Sequence, residues 1–124
     1  MSYIWLYVAL GGFAGAISRY AMIRFISSRF STAFPYGTLT VNVLGSFALG
    51  FLLGTQLDVE RKHDYAALGI GYLGSFTTFS TYAVEGLQMT QKKRWRSFLL
   101  YQLTSYSLCI GAAVLGFIYG RSMN

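Results

Sequence analysis

Residues 65–89 have the sequence YAALGIGYLGSFTTFSTYAVEGLQM, a long apolar segment with a band of hydroxyl and aromatic side chains in its middle. Its only charged residue is Glu85, and its length exceeds the ~20 residues that a helix needs to cross the hydrocarbon core of a bilayer. Lipid offers no hydrogen-bond partner to hydroxyl or backbone groups. The band from Gly74 to Tyr82 therefore predicts a functional site inside a membrane-spanning segment.

The composition of the chain is that of a membrane protein. Of its 124 residues, 54% are hydrophobic and only 11% are charged, whereas a soluble domain carries roughly 25% charged residues. Charges are confined to short stretches, which leaves four apolar runs at about 3–23, 37–57, 65–89 and 98–119. Each run is near or above the length of a membrane span. The sequence predicts an all-α membrane protein, with four transmembrane helices in a single domain covering residues 1–124.

Glycine residues predict where these helices break and where they touch. Gly69, Gly71 and Gly74 precede the hydroxyl band, and glycine permits a helix break at which freed carbonyl groups line a cavity or hold a cation. We therefore expect the third helix to be broken near its middle. Close helix contacts are predicted at three Gly-xxx-Gly pairs, which are Gly11/Gly15, Gly50/Gly54 and Gly116/Gly120.

The residues that build enzyme and metal centres are scarce in this chain. One cysteine, one histidine and four acidic residues are too few and too scattered for a zinc or two-metal site. Cys109 lies within the fourth apolar run, where a small buried hydrophobic role is expected. The basic residues do not form the single stripe typical of nucleic-acid binding. We expect neither an enzyme nor a nucleic-acid-binding protein.

The net charge of +6 has two interpretations. Basic loops anchor helices to the anionic headgroups of the lipid bilayer, and a positive field also attracts an anionic permeant. The loops after the first and third runs contain six basic residues, against three on the opposite side of the membrane. That excess favours a cytoplasmic position for the two basic loops, yet it is modest and leaves insertion in both orientations open.

Polar side chains recur in all four apolar runs. Singly, Ser and Thr in such helices bond to carbonyls of their own helix or join neighbouring helices, but together they are too numerous for that role alone. The amide of Asn42 has two donor hydrogens, which either an interhelical hydrogen bond or a permeant would satisfy. Phe76, Phe79 and Tyr82 share a helix face, where ring edges either pack or face an anion.

Several ordered motifs resemble the small bacterial fluoride channels called Fluc or CrcB. The motifs are Gly-Ala-Ile-Ser-Arg ending at Arg19, Gly37-Thr38-Leu39-Thr40-Val41-Asn42, and Gly74-Ser75-Phe76-Thr77-Thr78-Phe79-Ser80-Thr81-Tyr82 followed by Glu85. The resemblance covers essentially the whole chain. It implies a fluoride-selective channel of the bacterial cytoplasmic membrane that exports fluoride passively. It also implies an antiparallel, dual-topology homodimer with two pores.

The resemblance implies roles for individual pore residues. Asn42 corresponds to the pore asparagine, Phe79 and Tyr82 to the two phenylalanines of an aromatic box, and Ser80 and Thr81 to a polar track along the third helix. In this chain Tyr82 stands in place of the usual phenylalanine.

Further positions match the resemblance outside this band. Thr38 matches a vestibule hydroxyl, and Tyr101 and Ser105 match pore-side positions of the fourth helix, where Cys109 stands at a position often held by serine. Arg19 matches the first-helix arginine, an electrostatic element of the vestibule. The backbone carbonyls of Gly74 and Thr77 would hold a structural sodium ion at the dimer centre.

Two other functions are compatible with four short spans. Small multidrug exporters bind cations and protons at an acid in their first span, whereas the first span here has no Asp or Glu and contains Arg19. A non-transporting membrane scaffold would be a stable protein that conducts no ion. Fluoride flux therefore separates the channel from both alternatives.

Overall fold

The protein is described here from a computed structural model, which covers residues 3–30 and 34–123. These residues form helices joined by short connections and contain no strand, so the predicted all-α fold is confirmed. The elements are α1 (Ile4–Arg29), α2 (Tyr36–Gly54), α3 (Leu57–Glu60), α4 (Lys62–Tyr65), a π-helical segment (Ala66–Leu73), α5 (Gly74–Phe76), α6 (Ser80–Gln91) and α7 (Trp95–Ser122). The predicted domain, 1–124, includes residues 1–2, 31–33 and 124, which lie outside the described residues.

Helices α1, α2 and α7 are each long and apolar enough to cross a membrane. They contain 26, 19 and 28 residues, and a rise of 1.5 Å per residue brings each close to or beyond the ~30 Å hydrocarbon thickness. Helix α1 continues six residues beyond the predicted apolar run, to Arg29. Its basic side chains fold back over aromatic rings, with the Arg29 guanidinium carbon 4.8 Å from the Phe25 ring centroid. The apolar part of a long basic side chain can lie along an apolar surface while its charged end stays in water. The helix therefore extends beyond the apolar run.

The third apolar run is divided into several pieces. Helix α4 leads into the π-helical segment and α5, the backbone is extended at Thr77 with φ −83° and ψ 161°, and α6 begins at Ser80. The predicted interruption of this run is therefore present, at Thr77–Phe79. For the same reason no single helix of spanning length covers the run among the described residues.

Helices α2 and α7 pack closely through glycine. A Cβ added to any of the four glycines of Gly50/Gly54 and Gly116/Gly120 would overlap a backbone carbonyl of the facing helix. Gly11 and Gly15 of α1 lie equally close to carbonyls of the π-helical segment. The predicted contacts at all three Gly-xxx-Gly pairs are confirmed, and they hold the helices at the short separations that small residues allow.

Large apolar side chains cover the outside of the subunit. Phe13 on α1 is 69% exposed and Leu103 on α7 is 64% exposed, while the fully buried side chains include Val41 and Tyr101. An apolar exterior of this extent suits contact with lipid or with another protein surface. The buried groups lie where α2, α6 and α7 meet, beside the helix break.

Candidate ion pathway

Side chains from two other helices hold the break at Thr77–Phe79. The Asn42 amide of α2 pairs with the backbone of Thr78: Nδ2 donates to the Thr78 carbonyl at 3.0 Å, and Oδ1 accepts from the Thr78 N–H at 2.8 Å. The Arg19 guanidinium of α1 donates to the Ser75 carbonyl at 3.0 Å. Backbone groups that leave a helix need such partners, because lipid supplies none.

The Thr78 hydroxyl binds the first turn of α6. Its oxygen accepts from the Thr81 N–H at 3.2 Å and lies 3.1 Å from Thr81 Oγ1 and 3.4 Å from Ser80 Oγ. A side-chain oxygen that takes a free N–H of the first helical turn acts as an N-terminal cap. The extended residue Thr77 and the capping residue Thr78 together fix the direction in which α6 leaves the break.

The hydrogen bonds of Asn42 and Thr78 deprive the carbonyl groups of Gly74 and Thr77 of their usual helical donors. In a continuous α-helix the N–H of Thr78 would donate to Gly74, and the N–H of Thr81 would donate to Thr77. Here Asn42 Oδ1 and Thr78 Oγ1 take those N–H groups. Gly74 is exposed, with nothing within 4 Å of the position that a Cβ would occupy. Two carbonyl oxygens without their helical donors, one of them on an exposed residue, fit a hard cation that prefers oxygen ligands.

A groove of about 340 Å³, here called the central groove, lies beside the break. It runs between the middle of α2, the break and α7. The sequence-predicted residues that line it are Asn42, Gly74, Thr77, Phe79, Tyr82 and Ser105, and it is also lined by Gly45, Ser46, Leu49, Gly69, Leu73, Thr78, Tyr106 and Cys109. The structure thus brings together residues that are far apart in the sequence. Their assignment to a pore stays a prediction.

Three buried hydroxyl groups have no hydrogen-bond partner among the described residues: Thr38 Oγ1, Tyr82 OH and Ser105 Oγ. These side chains are only 1%, 7% and 7% exposed. Leaving a buried hydroxyl unpaired costs about 1–3 kcal/mol, so such groups call for a water molecule or a bound ion. All three belong to the predicted pore residues.

The half-buried carboxylate of Glu85 lies next to one of these hydroxyls. The hydroxyl of the fully buried Tyr101 donates to Glu85 Oε1 at 3.1 Å. The Thr38 hydroxyl lies beside both groups, outside hydrogen-bonding geometry. The Tyr101 ring packs against Tyr82, with 5.1 Å between centroids. Tyr101 therefore connects the carboxylate of α6 to the wall of the central groove.

A second cavity of about 290 Å³, here called the outer cavity, lies on the other side of Glu85. It is enclosed by the end of α1, the start of α2 and the end of α6, and its polar lining comprises Ser27, Tyr36, Glu85, Gln88, Lys92 and Arg94. Glu85 thus separates this charged cavity from Tyr101. A path in space leads from the outer cavity past Glu85, Tyr101 and Tyr82 to the central groove.

The two aromatic residues of the predicted box differ in burial. Phe79 and Tyr82 have ring centroids 5.8 Å apart, but Phe79 is 74% exposed whereas Tyr82 is 7% exposed. Ser80 is also exposed and Thr81 is half-buried, and neither lines the central groove. One face of the break therefore points away from the subunit.

Comparison with known proteins identifies the family. A family model described as CrcB-like protein, Camphor Resistance (CrcB), matches residues 6–117. The chain belongs to the CrcB-like family. With its three helices of spanning length, this CrcB-like protein is a multi-pass protein of the bacterial cytoplasmic membrane, as the sequence predicts.

Relatives of this CrcB-like protein match it along nearly its whole length. A Geobacillus kaustophilus protein named fluoride-specific ion channel FluC 1 is 43% identical over 116 residues, which cover 94% of this chain and 97% of the relative. A Magnetococcus marinus protein named fluoride-specific ion channel FluC is 44% identical over 117 residues, covering 93% and 95%. One of the same name from Shewanella denitrificans is 44% identical over 113 residues, covering 90% of each chain. The resemblance drawn from the sequence motifs is confirmed.

The structure of this CrcB-like protein adds residues that sequence reasoning left unassigned. In the sequence Thr78 is one hydroxyl among several, although a threonine just before a helix often accepts an N–H of the first helical turn. Glu85 had no assigned role, yet it stands between the two cavities. Arg19 lines neither cavity and donates to the Ser75 carbonyl of α5, just before the break; its role at a vestibule stays a prediction.

Proposed function

We propose that this chain is a fluoride-selective ion channel that lets fluoride leave the cell passively. Family membership and relatives named fluoride-specific ion channels support this function. The geometric observation that carries it is the series of buried hydroxyls, Thr38, Tyr82 and Ser105, that have no partner among the described residues. A channel of this kind lowers cytoplasmic fluoride and performs no chemical reaction, which agrees with the expected absence of enzyme activity. The names of the relatives support neither a multidrug exporter nor a scaffold.

The route begins at the outer cavity. Lys92 and Arg94 on its wall give it a positive bias, which raises the local concentration of an anion. A fluoride ion there meets the buried Thr38 hydroxyl, which has no partner among the described residues, while the Tyr101 hydroxyl beside it donates to Glu85. Hydroxyl donors replace water around the ion, and this replacement is the step that any selective filter must provide.

The route continues along Tyr82 into the central groove. Tyr82 and Ser105 supply hydroxyl donors that no described residue uses, and Asn42 adds an amide on the same wall. Aromatic ring edges carry partial positive charge, so Phe79 and Tyr82 contribute further favourable contacts. Chloride is larger and less able to use closely spaced donors, and it is excluded by narrowness and by the spacing of those donors.

The channel is an antiparallel homodimer with two pores. Phe79, Ser80 and Gly74 are exposed on the face of the break, and such irregular backbone is tolerated in a membrane only where protein or water covers it. A second copy covers this face under two-fold symmetry, the commonest form of closure. In this arrangement α4, the π-helical segment, α5 and α6 together form the third crossing, which is broken.

A sodium ion at the dimer centre would be held by the backbone carbonyls of Gly74 and Thr77. These carbonyls have lost their helical donors at the break, and the site chemistry of oxygen atoms alone suits a hard cation. The ion would supply positive charge beside these carbonyl oxygens. It acts as a structural element and takes no part in transport.

Fluoride release from proteoliposomes tests the proposed function. Vesicles containing the purified protein are loaded with potassium fluoride and potassium chloride, and both anions are followed with ion-selective electrodes after addition of a potassium ionophore. Rapid fluoride release with retention of chloride is the expected result. Retention of both anions by vesicles that contain folded protein would contradict the channel and favour the scaffold.

A further inference from the structure

We infer that Asn42 and Thr78 create the cation site by taking the two backbone donors that would otherwise occupy its carbonyl ligands. The inference rests on the proposed channel and its sodium ion. It assigns Asn42 and Thr78 as positioning residues, which act on the ion through the backbone of the break. It also makes the pore amide and the cation site parts of one hydrogen-bonded unit.

The first half of the unit is the pairing between Asn42 and Thr78. Asn42 Oδ1 holds the Thr78 N–H at 2.8 Å, while Nδ2 holds the Thr78 carbonyl at 3.0 Å. Because both polar groups of one peptide residue are bound, the backbone cannot turn back into a helix at this point. The Gly74 carbonyl, the normal acceptor of that N–H, stays available.

The second half of the unit is the hydroxyl of Thr78. Its oxygen holds the Thr81 N–H at 3.2 Å, and that N–H would otherwise donate to the Thr77 carbonyl. Thr77 itself is extended, and its own hydroxyl donates to the Leu73 carbonyl at 3.0 Å. The Thr77 carbonyl therefore lacks its helical donor because of Thr78, and the Thr77 hydroxyl is bonded to Leu73. Both predicted ligands of the cation depend on the same residue, Thr78.

The same hydrogen-bonded unit includes the Asn42 amide, which faces the proposed path of fluoride. The Asn42 amide has two N–H hydrogens, and one of them is used by Thr78. Asn42 lines the central groove, where the remaining hydrogen is free to donate to an anion. A cation that fixes the break therefore also fixes the amide that faces fluoride.

Thermal unfolding against sodium concentration tests this inference with a readout other than flux. The full chain is melted in sodium chloride that is replaced stepwise by N-methylglucamine chloride at constant ionic strength. In the wild type the melting temperature is expected to rise with sodium. Thr78→Val removes the capping hydroxyl, returns the Thr81 N–H to Thr77, and is expected to weaken apparent sodium affinity about ten-fold, as for one lost hydrogen bond of ~1.4 kcal/mol. Thr78→Ser is expected to restore the response.

A matched control separates this effect from loss of a hydroxyl in general. Thr40 also lies in a spanning helix, and its hydroxyl donates to the Tyr36 carbonyl of its own helix at 2.8 Å. Thr40→Val is expected to keep the sodium response of the wild type. If Thr78→Val does not fold, the pair Asn42→Gln and Asn42→Leu decides: the glutamine keeps an uncharged amide acceptor for the Thr78 N–H and is expected to keep the sodium response, whereas the leucine loses both.

The outcomes separate the inference from the proposed function. A wild-type sodium response that persists unchanged in Thr78→Val, or in Asn42→Leu, overturns the inference while the channel stands. A wild-type protein with no sodium response overturns the cation site and the inference with it. Absence of fluoride release from sodium-responsive wild-type protein overturns the proposed channel, and a weaker sodium response in Thr78→Val then still supports the link between Thr78 and the cation.

Discussion

Tyr82 is the residue at which this chain departs most clearly from the aromatic pair of the channels that it resembles. Its ring keeps the aromatic contacts, 5.8 Å from Phe79 and 5.1 Å from Tyr101. Its hydroxyl is a buried donor without a partner among the described residues. An unpaired buried donor lowers the stability of the folded protein, but it can donate a hydrogen bond to an anion.

Removing the hydroxyl of Tyr82 is therefore expected to have opposite effects on stability and on fluoride. Tyr82→Phe should raise the free energy of unfolding in fluoride-free buffer by roughly 1 kcal/mol, because an unpaired buried polar group disappears. The fluoride concentration at half-maximal flux should rise, because one donor is lost. Unfolding experiments and flux at graded fluoride concentrations measure the two effects. A destabilised variant with unchanged fluoride dependence would contradict this role.

The contact between Tyr101 and Glu85 predicts a second effect at this scale. Tyr101→Phe leaves the Glu85 carboxylate without the donor that lies 3.1 Å away. Fluoride flux should fall about ten-fold, the size expected when a hydrogen bond to a charged group is lost. Tyr119→Phe, at a 57% exposed position of the same helix, is the control. Equal flux in the two variants would remove Tyr101 from the pathway.

Much of the candidate site was predictable from residue types at this scale, and part of it was not. Hydroxyl, amide and aromatic residues in an apolar segment identified Asn42, Tyr82 and Ser105, which do line one groove. Hydrogen-bond partners across the fold were beyond prediction, since Asn42 binds Thr78 at a sequence separation of 36 residues. The same holds for Arg19, whose long side chain reaches Ser75.

At the scale of helices, apolar length predicted where the spans lie and glycine predicted how they meet. The helices end at other residues than the apolar runs, because α1 and α7 continue into polar residues. Such side chains reach the water at the membrane surface. The π-helical segment Ala66–Leu73 was not predicted. A change from i→i+4 to i→i+5 bonding leaves no composition signal, although such segments occur often at functional sites.

Glycine packing between α2 and α7 gives a prediction with an internal control. Gly50→Ala places a Cβ against the Ala113 carbonyl and should reduce the free energy of unfolding by about 1–3 kcal/mol, the usual cost of overpacking. Gly111→Ala meets nothing within 4 Å and should leave stability equal or up to ~1 kcal/mol higher, since alanine favours helix. Chemical denaturation of the two variants measures the difference. Equal stabilities would show that the two helices can separate without cost.

At the scale of the whole molecule, one subunit presents an incomplete site. Phe79 is 74% exposed although its neighbour Tyr82 is buried, and Gly74 of the candidate cation site is exposed as well. Both features are explained if a second copy closes the break from the other side. The modest difference in basic residues between the two membrane faces, six against three, agrees with insertion in both orientations.

The central claim is that fluoride passes the helix break and needs the Phe79 ring. Fluoride and chloride release from proteoliposomes, measured for the wild type, Phe79→Ile and Phe13→Ile, tests it most directly. Phe13 is the control because it is an aromatic residue of similar exposure, at 69% against 74%, and it lines neither cavity. The account predicts fluoride release without chloride release from the wild type and Phe13→Ile, and no fluoride release from folded, assembled Phe79→Ile. Normal fluoride release from Phe79→Ile would contradict it.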